Sequence, residues 1–347
     1  MCPRGADPLS FSGFAQATRR CNGFVELAVL ICLSLSGGSE AISADISAGR
    51  DSNGNNIIIL RGAIETGDAV KIEKLKKERI FYAIDLNSPG GNYIEALRIV
   101  DVMYPPIATF IDKGAECYSA CAIIFMAGKA GGGSGGTYAN RRLHYFGKLG
   151  FHAPYLSNVT GQFSGEAVQE AYGAAVMSMR ELMKRQIIPQ SLLTEMLAKE
   201  PDDAFFVDTV DKAGRWDIQV VGFRERPITK KMFCTACESH MSWKYDASSH
   251  ASRCGVTGTT NDDGDGFHMR QSGSDYLIRI LFRLPRDVST ECKIRVSPGS
   301  VSFNDMPFVA AAFGPPGRDL ESGDIDRFLI YPFHYFDGST LLRDMDR

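Results

Sequence analysis

Short apolar runs alternate with segments of helical periodicity along the first two thirds of the chain. Aliphatic and aromatic residues, many of them β-branched, are concentrated in residues 57–60, 81–86 and 107–111, and these runs predict strands. Residues 94–103 carry an apolar residue at every third position, which predicts an amphipathic helix. Strands that alternate with helices favour a mostly parallel sheet covered by helices, so we expect an α/β fold.

The same alternation continues for another hundred residues. Residues 120–127 are apolar on nearly every side, which predicts a buried helix. Residues 165–186 have apolar positions at a 3.6-residue period and predict a long helix, and residues 218–221 predict a final strand. We therefore expect one α/β domain over residues 45–222.

The composition changes near residue 222. From Met232 onward Cys, His, Ser and Gly become frequent and helical periodicity is lost, while residues 276–284 and 292–296 predict strands. We expect residues 223–347 to form a small β-rich module that stabilises the protein, docks substrate or mediates assembly.

The first 44 residues have the order of a secretory signal. Arg19 and Arg20 precede an apolar run at residues 24–36 that is too short to span a bilayer comfortably, and small residues follow. We expect residues 1–44 to be a cleaved leader, with a retained membrane anchor as the alternative. The mature protein would then be periplasmic or secreted.

Composition is typical of globular proteins and excludes one class of partner. The 347 residues are 44% apolar and 23% charged, and the formal net charge is −3 at pH 7. Binding to a phosphate backbone needs a basic surface, so we do not expect this chain to bind nucleic acid. We expect no cofactor.

Six cysteines follow the leader, and an even number in an oxidising compartment favours disulfides. Six cysteines allow fifteen pairings, so the sequence leaves the pairing open. Cys117 and Cys121 could be core thiols, a local disulfide or partners of distant cysteines. Zinc is the less favoured alternative for the remaining four, whose spacing is not that of a zinc ribbon: Cys234, Cys237, Cys254 and Cys292.

The candidate chemistry lies where strands lead into turns and helices. Ser119 stands between a predicted strand and the buried helix, and the first amides of a helix have no intrahelical partner and can bind a developing oxyanion. Gly90 and Gly91 end an earlier strand and expose further amides without side chains. A serine needs a base to act as a nucleophile, and His152 can supply one.

A histidine base needs an orienting group, and Asp202 or Asp203 could fill that role, although loop acids are commonly solvated. A Ser/Lys dyad is the less favoured alternative, with Lys148 and Lys184 as candidates. Taken singly each residue also has a structural interpretation, since a serine at a helix start is a common cap. The order and spacing of the motifs therefore carry the functional hypothesis.

Three segments together resemble the proteolytic subunit of the Clp protease. They are Ile84-Asp-Leu-Asn-Ser-Pro-Gly-Gly91, Ala115-Glu-Cys-Tyr-Ser-Ala-Cys-Ala122 and Gly150-Phe-His-Ala-Pro154. More closely, the chain is similar to exported Clp-like proteins of Gram-negative bacteria. The resemblance covers residues 57–221 and implies the crotonase-like fold, a spiral of repeated β-β-α units, to which the β-rich module is appended.

Carried over by position, the resemblance implies that Ser119 is the nucleophile and His152 the general base. The oxyanion would be bound by amides of the Gly90–Gly91 turn and of Ala120. The acid would be Asp202, with Asp203 as its alternative. These roles define a serine peptidase-like hydrolase that acts through an acyl-enzyme.

The resemblance also implies partners. The substrate would be a peptide or protein bound as an extended chain, and the chain would form a homo-oligomer. No feature of the sequence implies a partner ATPase. The alternative function is a non-catalytic binding or assembly protein that retains the fold, since a fold does not guarantee an activity.

Overall fold

A computed structural model describes most of the chain after the predicted leader. The described residues are 44–131, 136–153, 164–185, 187–199, 203–224, 229–245, 267–273, 275–283, 289–296, 309–314 and 326–346. All but the last residue of the predicted leader lies outside them.

Sixteen strands, seven α-helices and two short 3-10 helices, Pro332–Tyr335 and Leu342–Asp344, make up the described secondary structure. The strands are β1 (Asp45–Arg50), β2 (Asn56–Arg61), β3 (Ala83–Asn87), β4 (Ala108–Ile111), β5 (Glu116–Tyr118), β6 (Lys129–Gly131), β7 (Thr137–Ala139), β8 (Arg141–His144), β9 (Lys148–Phe151), β10 (Phe205–Phe206), β11 (Gln219–Val221), β12 (Phe267–Ser272), β13 (Asp275–Arg283), β14 (Ser289–Val296), β15 (Val309–Gly314) and β16 (Asp326–Ile330). The helices are α1 (Asp68–Glu78), α2 (Tyr93–Val102), α3 (Ala120–Met126), α4 (Gly165–Arg185), α5 (Gln190–Leu197), α6 (Val210–Arg215) and α7 (Lys230–Tyr245).

A six-stranded sheet has the order β1-β2-β3-β4-β8-β11. β1 runs antiparallel to β2, and every other neighbouring pair is parallel. The apolar runs at 57–60, 81–86 and 107–111 form β2, β3 and β4, as predicted. The polar segment before them contains β1, whose place at the edge of the sheet lets one face remain in water.

A second, three-stranded sheet has the order β10-β9-β5. β5 and β9 are parallel, whereas β10 runs antiparallel to β9. Residues 143–152 are divided between the two sheets, because a tight turn closes where the Gly147 amide donates to His144 O at 2.6 Å. This small sheet carries two of the predicted site segments.

The helices pack apolar faces on these sheets. Every residue of α3 is buried, as its all-round apolar pattern predicted. Asn92 caps the N-terminus of α2, and its side chain accepts the Glu95 amide at 3.0 Å. The buried Glu95 carboxylate in turn accepts amides at the start of α1, Gly67 at 3.0 Å and Ala69 at 2.8 Å, so it joins the two helices.

The C-terminal part of the chain combines a helix with an antiparallel sheet of order β12-β13-β14-β15-β16. The sheet agrees with the expected β-rich character, but α7 was not predicted. Its Cys, Ser and His residues have low helix propensity, and it forms because Phe233, Cys237 and Met241 recur every fourth residue on one buried face.

The end of the chain returns to the first core. Phe333, Leu342 and Met345 are buried among residues of the α/β region. Trp243 of α7 donates from Nε1 to Asp211 Oδ1 at 2.8 Å. The described residues belong to one compact unit, Ala41–Arg347, and the division near residue 222 stays a prediction.

The structure confirms the mixed α/β class. Within the described segments, no helix is long and apolar enough to cross a membrane. Two disulfides join described cysteines, Cys117 with Cys121 and Cys237 with Cys292, as expected for a chain that folds in an oxidising compartment.

Candidate active site

Ser119 stands alone between β5 and α3 in an unusual backbone conformation. Its φ is 55° and its ψ is −122°. In this combination the side chain of an L-residue is crowded by the backbone, so few non-glycine residues adopt it. Such residues persist only where the surroundings hold them, and they occur preferentially at functional sites. The sharp strand-to-helix turn presents the serine at the start of the buried helix.

Hydrogen bonds hold this turn from both sides. The Ser119 amide donates to Gly150 O in β9 at 3.1 Å, and Ser119 O accepts the Ala122 amide at 3.0 Å. Just before it, the Tyr118 amide donates to Ser88 O at 3.1 Å. The turn therefore links the end of β3 with β9, the strand that the predicted base follows directly.

The Gly90–Gly91 turn lies in direct contact with the candidate nucleophile. The two glycines have φ of 101° and 133°. A Cβ on Gly90 would lie 2.7 Å from Ser119 Cβ and 3.2 Å from the Ala120 amide nitrogen. A Cβ on Gly91 would lie 2.3 Å from Ile64 O. Only glycine fits at either position, because both the backbone conformation and the available space exclude a side chain.

Two amides remain available beside Ser119. The Gly90 amide donates to Ser88 Oγ at 3.1 Å. In the described part of the chain, neither the Gly91 nor the Ala120 amide donates to a backbone carbonyl. Backbone amides that have no acceptor of their own are the groups that can stabilise a developing oxyanion.

Ser88 is a site residue that the sequence interpretation missed. It is 1% exposed, and its hydroxyl fixes the glycine turn while its backbone pairs with β5. Its place directly after β3 and before Pro-Gly-Gly is the signal that could have identified it, because serine hydroxyls commonly bond turn amides two residues on.

His152 follows β9 directly. The parallel register of β5 and β9 sets Tyr118 opposite Gly150, so Ser119 and His152 lie just beyond the ends of adjacent strands. The half-buried imidazole has Nδ1 2.8 Å from Ala153 O. A carbonyl only accepts, so Nδ1 carries the proton in this contact and the lone pair of the neutral ring is on Nε2.

The predicted acids do not complete a triad in the described structure. Asp202 lies outside the described residues. Asp203 is exposed, and its carboxylate pairs with Lys199 Nζ at 2.7 Å. β10 begins two residues after Asp203 and pairs with β9, with Phe205 opposite Phe151.

The lysines considered as alternative bases are ordinary surface charges here. Lys148 in β9 bonds to Glu116 at 2.5 Å, and this contact raises the pKa of the lysine, so the ammonium stays protonated. Lys184 is exposed in the last turn of α4. A lysine acts as a base only in its neutral form, and nothing around Lys148 favours that form.

The Cys117–Cys121 disulfide encloses Ser119. Both cysteines are fully buried, and the bond ties the end of β5 to the first turn of α3. Of the three states that the sequence left open for this pair, the structure has the local disulfide. Ser119 is thus held by a covalent bridge as well as by hydrogen bonds.

The other described cysteines are bonded to sulfur. Cys237 is joined to Cys292, and Cys234 is also disulfide-bonded. A sulfur in a disulfide is not the thiolate that zinc binds. Cys254 lies outside the described residues. No group of three potential metal ligands occurs within the residues that the structure describes.

The fold therefore assembles Ser119, the glycine turn, the Ala120 amide and the strand leading to His152 in one place. No protein-family model matches this chain, and no curated protein matches it. The chemistry has to be inferred from the arrangement of these groups.

Proposed function

We propose that this chain is a serine hydrolase of the crotonase-like fold that resembles the Clp proteolytic subunit, with Ser119 as its nucleophile. The observation that carries the proposal is the left-handed Ser119 at a strand-to-helix turn, in contact with Gly90 and beside the Gly91 and Ala120 amides. A serine that serves only as a helix cap needs neither this conformation nor a side-chain-free turn packed against it.

The reaction is a two-step acyl transfer. Ser119 Oγ attacks the substrate carbonyl carbon while His152 Nε2 takes its proton, and the carbonyl oxygen becomes an oxyanion held by the Gly91 and Ala120 amides. Collapse breaks the bond to the leaving group, which receives the proton from His152. Water, activated by the same histidine, then hydrolyses the acyl-enzyme and regenerates the serine. This chemistry requires no cofactor.

The substrate is proposed to be a peptide or protein and the protein is proposed to be exported. β10 is a short edge strand beside the site, and an extended chain can pair with such an edge. Phe206 of that strand is 40% exposed and packs edge-on to Tyr118 at 5.7 Å between ring centres, which provides an apolar contact near the nucleophile. The disulfides support a periplasmic or secreted location.

Labelling with a fluorophosphonate probe tests the nucleophile. The native protein should be labelled, Ser119→Ala should not, and His152→Ala should be labelled more slowly by about 100-fold or more because the general base is lost. Ser52→Ala, at an exposed serine in the turn between β1 and β2, is the matched control and should label normally. Labelling that persists in Ser119→Ala would refute the assignment.

One observation favours a second candidate, a non-catalytic binding or assembly protein that retains this fold. Asp203 is held by Lys199 on the surface, so the described acid does not orient His152. In this case the native protein would resist the probe at every pH, while a peptide that binds it would bind Ser119→Ala equally well.

A further inference from the structure

The disulfide between Cys117 and Cys121 encloses the three residues at the centre of the candidate site. Tyr118 supplies an aromatic ring beside the site, Ser119 is the candidate nucleophile, and Ala120 supplies one of the two amides without a backbone acceptor among the described residues. The bond therefore acts directly on the groups that the proposed reaction uses.

Stabilisation of the whole fold does not account for a disulfide in this place. A disulfide stabilises a fold mainly by restricting the unfolded chain, and the effect grows with the length of the loop that it closes. Cys117 and Cys121 are only 4 residues apart, so this effect is small. The core also holds both ends already, because Cys117 pairs with Leu149 of β9 and Cys121 lies in the fully buried α3. What the bond adds is a constraint on the turn between them.

The turn needs such a constraint because of the backbone of Ser119. Its φ of 55° belongs to a conformation that persists only where the surroundings impose it. Relaxation toward extended backbone would move the two cysteines apart. Their Cα atoms lie 5.2 Å apart, and a disulfide cannot join Cα atoms more than about 7 Å apart. The bridge therefore holds the serine in the conformation that the site requires.

We propose that the Cys117–Cys121 disulfide positions Ser119, so that the chain is a competent hydrolase only when this pair is oxidised. The inference rests on the function proposed for Ser119 and adds its regulation. Backbone strain of the size found at such residues is enough to lower the population of the strained conformation by about 10-fold once the bridge is open. A chain in a reducing compartment would be inactive, and its activity would begin on oxidation.

The switch is a thiol–disulfide exchange. On oxidation, the two thiols of the chain give two hydrogen atoms to an oxidised disulfide such as glutathione disulfide, which becomes two thiols. A dithiol such as dithiothreitol reverses the step, since it returns two hydrogen atoms, breaks the bond between the two sulfurs and becomes a cyclic disulfide. Both cysteines are fully buried, so exchange requires local opening of the turn.

One tryptic peptide reports both the redox state and the reaction. Cleavage after Lys113 and Lys129 releases residues 114–129, which contain Ser119, the cysteine pair and no other cysteine. The native protein is partly reduced with dithiothreitol and treated briefly with the fluorophosphonate probe. It is then denatured, its free thiols are blocked with iodoacetamide, and it is digested. In mass spectrometry, the disulfide form of the peptide should carry about 10-fold more probe than the form with two blocked thiols.

Two double variants separate this local effect from a loss of the fold. Cys117→Ala with Cys121→Ala should be labelled about 10-fold more slowly, with the circular dichroism of the native protein. Cys237→Ala with Cys292→Ala is the matched control, since it opens a disulfide of the C-terminal part, and it should be labelled at the native rate where it is folded. Reoxidation of the reduced native protein with glutathione disulfide should restore labelling.

The possible outcomes distinguish the inference from the function on which it rests. Equal probe content in the two forms of the peptide would overturn the positioning role and leave Ser119 as the nucleophile. No probe on either form would overturn the proposed function and the inference with it. Equal loss of labelling in the two double variants would attribute the effect to the fold in general and would also overturn the inference.

Discussion

Gly90→Ala is the substitution whose consequence the structure specifies most completely. At φ 101° an L-residue is strained by about 1–3 kcal/mol. The added Cβ would also lie 2.7 Å from both Ser119 Cβ and Tyr118 O, and overpacking of this kind costs about 1–3 kcal/mol. The free energy of unfolding should therefore fall by about 2–6 kcal/mol, a large part of the usual total of about 5–15 kcal/mol.

Substitutions at two other glycines separate the cost of backbone strain from the cost of steric overlap. Gly114 has φ 72° with nothing within 4 Å of an added Cβ, so Gly114→Ala should cost only the backbone strain, about 1–2 kcal/mol. Gly131 has open space and no left-handed φ, so Gly131→Ala should change stability by less than about 0.5 kcal/mol. Urea unfolding followed by the fluorescence of the two tryptophans measures all three.

The functional readout is labelling of Ser119 by the fluorophosphonate probe under conditions in which each variant is folded. Gly90→Ala should lose labelling by more than its unfolded fraction accounts for, because the Cβ displaces the turn that supplies the Gly91 amide. Gly114→Ala should label normally. If Gly90→Ala is no less stable than Gly114→Ala and labels at the native rate, the contact between the glycine turn and Ser119 is not as described.

Further predictions concern the disulfides and the pair formed by His240, which is partly buried, and His334, which is buried. Their ring nitrogens Nε2 and Nδ1 lie 2.9 Å apart. Replacing Cys117 and Cys121 by Ala should lower the free energy of unfolding by about 2 kcal/mol, and breaking the Cys237–Cys292 disulfide should lower it by about 4 kcal/mol. The loss is larger for the second disulfide because the entropy that the unfolded chain regains grows with the separation, from 4 residues to 55. Equal losses in chemical denaturation would contradict this. Burial lowers the pKa of His240 to about 3 and that of His334 well below its usual range. Since the unfolded histidines take up protons below about pH 6.5, stability should be complete above that pH and fall as the pH drops, by up to about 1.4 kcal/mol per pH unit for each histidine. Urea midpoints that stay level between pH 7.5 and pH 5 would exclude this.

Local patterns in the sequence determined much of the α/β region. The strands β2, β3 and β4 and the helices α2, α3 and α4 follow from period-2 runs, apolar clusters and 3.6-residue stripes, which depend on neighbouring residues only. β1 and α7 escaped prediction because their own residues are polar or weakly helical, and they form through pairing with β2 and packing on the C-terminal sheet.

The candidate site, too, was predicted in part by local sequence and decided in part by the tertiary structure. Its motifs named Ser119, the glycine turn and His152, because the residue types that the chemistry needs stand in a readable order along the chain. The motifs could not tell that the Gly91 and Ala120 amides donate to no backbone carbonyl among the described residues, since that depends on how the strands and turns pack together.

Pairings between distant residues were decided by the tertiary structure alone. The bonding of Cys237 to Cys292 and the hydrogen bond from the Trp243 indole to Asp211 have no local signature. Each depends on which surfaces the folded chain brings together or leaves uncovered, whereas secondary structure and turn chemistry depend on interactions within a few residues. The sequence by itself therefore determined the elements and the residue types of the site, and only the tertiary structure decided their partners.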